Sequence, residues 1–390
     1  MQIAVICEYN PFHDGHAYML RQIRARFGDD ATVTAVMGGI FSQRGEPYIA
    51  PPYTRAASAL AGGCDLVVEL PFPFSASRAA DFARAGVEIA AKLGADILAF
   101  GSECGDLEML EKRRARLDGE ELRALAASLS AADPSLGTTR ASAKAYETLY
   151  GKEDLAAPND ILAVEYLRAL AKYENAPAPA VIRRVGDYKG GGEGYASASA
   201  LRRAYAENRL AAFRGQMPDG AFAPLEAAAG AGLLGADENR LASAVLMKLS
   251  ALRRTPDAVK ALGGERAALE RLCAVADGVR TLDGLFAAAA SKRCTDASLR
   301  RAALYALTDT TETMLAAAPT YTRLLAANAR GRTVLSRAPR GFVLTKPADA
   351  EKLSDGGAQF AATFAAEHAF ALSFDGNYDF MRQTPLITED

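Results

Sequence analysis

The stretch QIAVICEYNPFHDGHAYMLRQIRARFG (2–28) decides the fold. It opens on a continuous apolar run, QIAVIC (2–7), the pattern of a strand buried on both faces. From Gly15 the apolar positions recur at helical spacing until Gly28 stops them, so residues 15–28 read as a helix. Between strand and helix lies EYNPFHDGH, with His13 and His16, two of only three histidines in the chain. Ligands of an open parallel sheet bind beyond the carboxyl ends of its strands. A helix N-terminus placed there offers unpaired N–H groups and the positive end of a dipole. Gly15 lets the backbone approach a phosphate. Both imidazoles are expected to face an anion held in this turn, His13 from the loop and His16 from the first helical turn; two surface or capping histidines, or a metal pair lacking its other ligands, are the alternatives.

The alternation continues along the first half. ATVTAVMGG (31–39), DLVVELP (65–71), DILAFGS (96–102) and APAVIRRV (178–185) read as strands. YTRAASALAGGC (53–64) and RAADFARAGVEIAAKLGA (78–95) read as the helices between them. This order predicts an α/β protein built on a doubly wound parallel sheet of about five strands. From 106 to 175 the pattern turns helical. GDYKGGGEGY (186–195) is a glycine-rich loop, followed by a helix near SASALRRAYAENR (197–209). Beyond about 210 the chain is alanine-rich and helical, with little strand signal before RGFVLTKP (340–347). Two domains are expected, residues 1–214 carrying the sheet and a mostly helical domain over 215–390.

Half of the residues are hydrophobic and the net charge is −2, so no global basic excess points to nucleic acid. Any such binding must come from local patches. The first apolar run meets Glu8 too soon for a signal peptide, and no run reaches the roughly 18 residues of a membrane helix. Five scattered cysteines without CxxC spacing fit reduced thiols and argue against structural zinc; no metal site is read. The expectation is a soluble cytoplasmic protein that does not engage a membrane. No stable protein partner emerges.

The HxGH spelling after the first strand resembles the HIGH-type nucleotidyltransferase superfamily, a Rossmann-like fold. The longer EYNPFHDGH resembles the bacterial tRNA(Met) cytidine acetate ligase family. Further stretches agree with that family in order: QRGEP (43–47), FGSE (100–103), PNDILAVEYLRAL (158–170), RRV with YASASALRR (183–203), SLRRAALYAL (298–307) and YTRLLAANARGRTVL (321–335). The resemblance implies an ATP-dependent ligase that forms acetyl-adenylate and then N4-acetylcytidine at the wobble position of elongator tRNA(Met). Its co-substrates are ATP, with Mg2+, and acetate. It implies catalytic roles for His13 and His16. It implies ATP contacts at Cys7, Glu8, Tyr9, Asn10, Pro11, Phe12, His13, Asp14, Gly15, His16, Ala17, Tyr18, Met19 and Leu20, and at Gly101, Asn159 and Arg184.

The residues themselves leave choices open. Gly101 either makes room for a nucleotide at a strand end or simply turns the chain. Asn159 either contacts ATP or caps the helix 158–170. Arg184 either meets phosphate through its planar donor fork or is a surface arginine. Ser197, Ser199 and Arg202 resemble a second phosphate-binding motif for the leaving pyrophosphate; an ordinary serine-capped helix would look the same. Arg293, Arg300, Arg301, Arg323, Arg330, Arg332, Arg337 and Arg340 form a local basic surplus. Of these, Arg293, Arg300, Arg301, Arg330 and Arg332 are the candidate tRNA contacts.

The chain departs from the family twice, reading GGIF with Ile40 where the family carries SGNF, and DYKGGG where it carries GYHD. Alternatives to the ligase are a nucleotidyltransferase acting on a small phosphorylated substrate and a non-catalytic RNA-binding relative.

Overall fold

The computed structural model describes residues 1–133, 136, 138–152, 154, 157–184, 195–207, 210–291, 293–353 and 357–389. Most of the glycine-rich loop at 186–195, including DYKGGG, lies outside these residues. Five strands arise where the sequence places them: β1 (Gln2–Cys7), β2 (Thr32–Gly38), β3 (Leu66–Leu70), β4 (Ile97–Ser102) and β5 (Ala178–Arg183). They run parallel in the order β5-β4-β1-β2-β3. Helices α1 (Asp14–Phe27) and α2 (Pro52–Ala61) bury Leu20, Ile23, Ala56 and Ala59 on one face of the sheet. On the other face, α3 (Ala79–Lys92) and α7 (Pro158–Leu170) bury Phe82, Ile89, Val164 and Leu167. Between them in sequence come α4 (Leu107–Leu117), α5 (Glu120–Ala132) and α6 (Thr138–Tyr150), and α8 (Ala198–Ala206) follows β5. Strands covered on both sides must be apolar throughout, and that is why each reads as a continuous run.

The strand order reverses at β1, which has β2 on one side and β4 on the other. The β1–β4 pairing is registered only at Ile3–Ile97 and Ala4–Leu98, although the strands continue to Cys7 and Ser102. Their carboxyl ends splay apart, and a crevice opens at the switch point.

The chain beyond 215 is mostly helical, and it also returns to the sheet. A strand β6 (Thr322–Ala327) pairs antiparallel with β3 and is joined by the short β7 (Val343–Leu344) and β8 (Leu386–Ile387). The sequence carries little strand signal before 340, and β6 lies inside the locally basic stretch that holds Arg323, Arg330 and Arg332. Arg323, counted in the basic surplus, is in fact buried, with its side chain 1% exposed. Its Nε and Nη2 donate to Glu69 of β3 at 2.5 and 2.7 Å, and Nη2 also donates to Glu367 of the helix Gly357–Leu372. The helices of the C-terminal half pack around Ile40, Phe41, Tyr48 and Phe72, so they are fastened to the loops that leave β2 and β3. Ile40 is fully buried in that cluster.

Removing one partner of a buried ion pair leaves the other desolvated and uncompensated. Arg323→Met is therefore expected to lower stability by about 3–5 kcal/mol in urea denaturation. Adding Glu69→Gln and Glu367→Gln should recover most of that loss. A single-variant loss under about 1 kcal/mol, the range of an exposed pair, would mean the network does not hold the two halves together.

Candidate functional site

The helix α1 starts at Asp14, one residue earlier than the sequence suggests, and His13 is its N-cap. The Gly15 N–H donates to His13 Nδ1 at 3.1 Å, and the His13 N–H donates to His16 Nδ1 at 3.2 Å. This is a capping box made of two imidazoles instead of a hydroxyl and a carboxylate. It explains the three-residue spacing, because the third helical residue is the one whose side chain reaches back to the N-cap N–H. It explains Gly15 too, since a Cβ there would sit 2.9 Å from His13 Cε1. It also sets the chemistry. An Nδ1 that accepts a hydrogen bond carries no proton, so each neutral ring bears its hydrogen on Nε2. The rings lie 3.8 Å apart, centroid to centroid, and both line the same cleft.

Burial, and secondarily Arg184, lower the His13 pKa to about 4. Burial, then His13 and Arg184, hold His16 well below its ordinary value. Both rings are neutral donors near pH 7.

The loop behind them is braced on three sides. Arg55, fully buried on α2, donates to the carbonyls of Glu8 and Gly38 at 2.7 Å each and to that of Ala50 at 3.1 Å. It thereby ties the ends of β1 and β2 together, with its guanidinium 4.0 Å from the Tyr48 ring centre. Glu8 accepts from the Gln43 N–H at 3.0 Å and from the Tyr48 hydroxyl at 3.2 Å. Arg202 donates to the Asn10 carbonyl at 2.8 Å and to Ser199 Oγ at 3.2 Å. Tyr9 is held in the left-handed region with φ of +43°, a conformation a tyrosine adopts only where its surroundings impose it.

The cleft measures about 260 Å³. From the 7–20 stretch it gathers Cys7, Glu8, Tyr9, Asn10, His13, Gly15, His16, Tyr18 and Met19. Pro11, Phe12, Asp14, Ala17 and Leu20 do not line it; Phe12, Ala17 and Leu20 are core residues under α1. Gly101, Asn159 and Arg184 meet on its other wall. A Cβ at Gly101 would lie 3.2 Å from Arg184 Cγ. Asn159 is not the cap of α7. That role falls to Glu103, which sequence reasoning passed over within FGSE: its carboxylate accepts from the Asp160 N–H at 3.0 Å and from Asn159 Nδ2 at 2.5 Å, and pairs with Arg184 at 3.5 Å. Ser197 caps α8 by accepting from the Ala200 N–H, and Arg202 reaches the cleft while Ser197 and Ser199 stand behind it. Ile40 does not line the cleft.

The basic surplus separates into two places. Arg300 pairs with Glu238 and Asp296, and Arg301 with Glu265. Both lie on the helix Asp296–Leu307 beside the 42–46 loop, with Arg301 donating to the Gln43 carbonyl at 2.8 Å. Arg293 is exposed just before that helix. Arg330 and Arg332 are exposed on the helix Ala329–Leu335, where Arg330 donates to the Asp29 carbonyl ahead of β2. That is the amino edge of the sheet, opposite the cleft.

A family model described as HIGH Nucleotidyl Transferase matches residues 1–383. The tRNA(Met) cytidine acetate ligase of Syntrophotalea carbinolica is 35% identical over 351 residues, covering 86% of this chain and 82% of the relative. The ligase of the same name from Caldanaerobacter subterraneus is 30% identical and covers 95% of each. The crystal structure of Thermotoga maritima TmcAL bound with alpha-thio ATP superposes with a TM-score of 0.83 over the full length of both chains at 25% identity.

The lowered histidine pKa carries a sign that can be checked. Between pH 6.5 and about 4 the unfolded chain protonates His13 while the folded one does not, so stability falls as the pH falls. Across that window His13 should cost about 3 kcal/mol, and His13→Asn, which can still cap the helix, should make that part of the profile shallower while the share of His16 remains. Melting temperatures measured from pH 7 to 4 test this; an unchanged profile would mean that the ring is not buried neutral.

Proposed function

Because the chain belongs to the tRNA(Met) cytidine acetate ligase family within the HIGH nucleotidyl transferases, we propose that it uses ATP and acetate to make N4-acetylcytidine at the wobble position of elongator tRNA(Met). The observation that carries this reading is the pair of neutral Nε2–H donors at the N-terminus of α1, facing Arg184 and Arg202 across one cleft. Such a cleft suits a triphosphate. The nucleoside lies toward Gly101, Asn159 and Arg184, and the phosphates run over α1 toward Arg202. An acetate oxygen attacks the α-phosphorus, the bond to the β-phosphate breaks, and pyrophosphate leaves with the electron pair. Negative charge grows on the α-phosphoryl oxygens in that step. Donors fixed in advance at that point stabilise the transition state more than bound ATP. The cytidine amine then attacks the acyl carbon, AMP leaves, and the nitrogen gives up one proton.

No group of three or more His, Cys, Asp or Glu able to hold a metal ion gathers among the described residues. Mg2+ would come with the nucleotide and would neutralise phosphate charge. Work on tRNA sets the protein in the cytoplasm. No helix among the described residues is long and apolar enough to cross a membrane.

We assign the tRNA phosphate contacts to the exposed Arg293, Arg330 and Arg332. Arg300 and Arg301 are half-buried beside the 42–46 loop and shape the rim. An RNA that meets both the cleft and Arg330 must span the depth of the sheet, roughly 20 Å for a six-residue strand.

His16→Ala should cut acetate-dependent ATP–pyrophosphate exchange by about 10²–10³-fold, with His368→Ala, an exposed substitution, as the unaffected control. Near-normal exchange in His16→Ala would remove the ring from the mechanism. Exchange independent of acetate would indicate the small-molecule transferase, and binding of tRNA with no exchange the non-catalytic relative. In the tRNA step, Arg293→Gln or Arg332→Gln should weaken binding and flatten its log–log salt slope by about one. Arg301→Gln should instead lower the melting temperature, and an unchanged slope in the first two variants would place the RNA elsewhere.

A further inference from the structure

The cleft also reaches the sheet face that α3 and α7 cover. Its wall there is aromatic: Phe82 from α3, Phe100 from β4 and Tyr166 from α7, all at most 3% exposed. The Phe100 and Tyr166 rings lie 5.5 Å apart, centroid to centroid. In this setting the Tyr166 hydroxyl is buried without a hydrogen-bond partner. A buried hydroxyl is normally satisfied, and an unpartnered one on a residue that lines the cleft is a donor in reserve for what the cleft receives. Burial, and then the neighbouring Cys7 and Glu8, raise its pKa well above the ordinary tyrosine value. The hydroxyl thus keeps its proton and is available to donate.

We propose that Tyr166, Phe82 and Phe100 form the subsite for the small carboxylic acid. The hydroxyl donates to one carboxylate oxygen and leaves the other free to attack the α-phosphorus; the rings enclose the alkyl end. An O–P bond forms, the P–O bond to pyrophosphate breaks, and no proton moves. Tyr166 therefore positions the nucleophile, while the two phenylalanines limit its length to two carbons. Neither Tyr166 nor Phe82 belongs to the nucleotide contacts assigned above; Tyr166 stands in PNDILAVEYLRAL, where the family resemblance singled out only Asn159, and Phe82 in RAADFARAG, which reads as a helix. The proposal rests on the ligase reading of the preceding section.

The test is ATP–pyrophosphate exchange with acetate, propionate and butyrate for the wild type, Tyr166→Phe and Phe82→Ala. Loss of a hydrogen bond to a charged oxygen should raise the KM for acetate about 10–100-fold in Tyr166→Phe, with the KM for ATP changed less than about threefold. Phe82→Ala should raise the propionate-to-acetate ratio of kcat/KM by about tenfold or more, since one methylene in an apolar pocket discriminates on that scale. If Phe82→Ala does not fold, Phe82→Leu takes its place with a smaller shift in the same direction. An unchanged acetate KM in Tyr166→Phe would overturn the proposal. So would a parallel rise in the KM for ATP, which would give the hydroxyl to the nucleotide. A wild type that shows no acetate-dependent exchange at all would fail the ligase reading, and this subsite with it, before any variant is compared.

Discussion

Two hydrogen bonds at the start of α1 govern the site. The His13 and His16 rings accept from the backbone at the N-cap and first turn, and so satisfy orphan N–H groups that would otherwise need a serine and a glutamate. Using imidazoles there costs a tight approach, which admits only glycine at residue 15. The gain is orientation. Once Nδ1 is committed to the backbone, Nε2–H is the only donor left on each ring, and its direction is fixed by the helix. The positive end of the helix dipole and the two rings then border one cleft. The HxGH motif and the capping motif are here the same residues.

The rest of the structure keeps that helix end still. β1 delivers it to the switch point of the sheet, where the splayed end of β4 leaves room for a ligand. Arg55 fixes the carbonyls at the ends of β1 and β2, and Arg202 fixes that of Asn10. Glu103 gathers the start of α7 and Arg184 on the facing wall. The C-terminal half supports the opposite side through β6 and through helices packed on the loops after β2 and β3. Ile40, the conspicuous departure from the family pattern, belongs to that packing and not to the cleft, so it changes how the halves adhere and leaves the lining as it is.

What the sequence could show follows from the range of the forces involved. Strands β1 to β5 were legible because burial on both faces makes each one a local apolar run. The turn was legible because its glycine, histidines and helix start are contiguous. β6 was not, because Arg323 is tolerated in a buried strand only through Glu69 and Glu367, and Glu69 stands more than 250 positions earlier in the chain. Counted locally, Arg323 looks like a solvated charge. Arg300 and Arg301 likewise pair with Glu238 and Glu265, distant in sequence, and a local count of charge does not show those pairs. Arg55 and Glu103 left no periodic signal at all. Each acts by meeting carbonyl or N–H groups that only the folded chain brings within reach. The FGSE and YTR segments nevertheless contained them, and a charged residue immediately beyond or between buried elements was the available clue.

The central claim, that the capping box sets both rings as neutral Nε2–H donors, can be read directly. With only three histidines in the chain, ¹⁵N-histidine labelling gives a spectrum that single substitutions can assign. At pH 7 the account predicts unprotonated Nδ1 and protonated Nε2 for both His13 and His16, with ATP moving the Nε2–H signals far more than those of His368. Protonation at Nδ1 in either ring, or Nε2 signals indifferent to ATP, would contradict it.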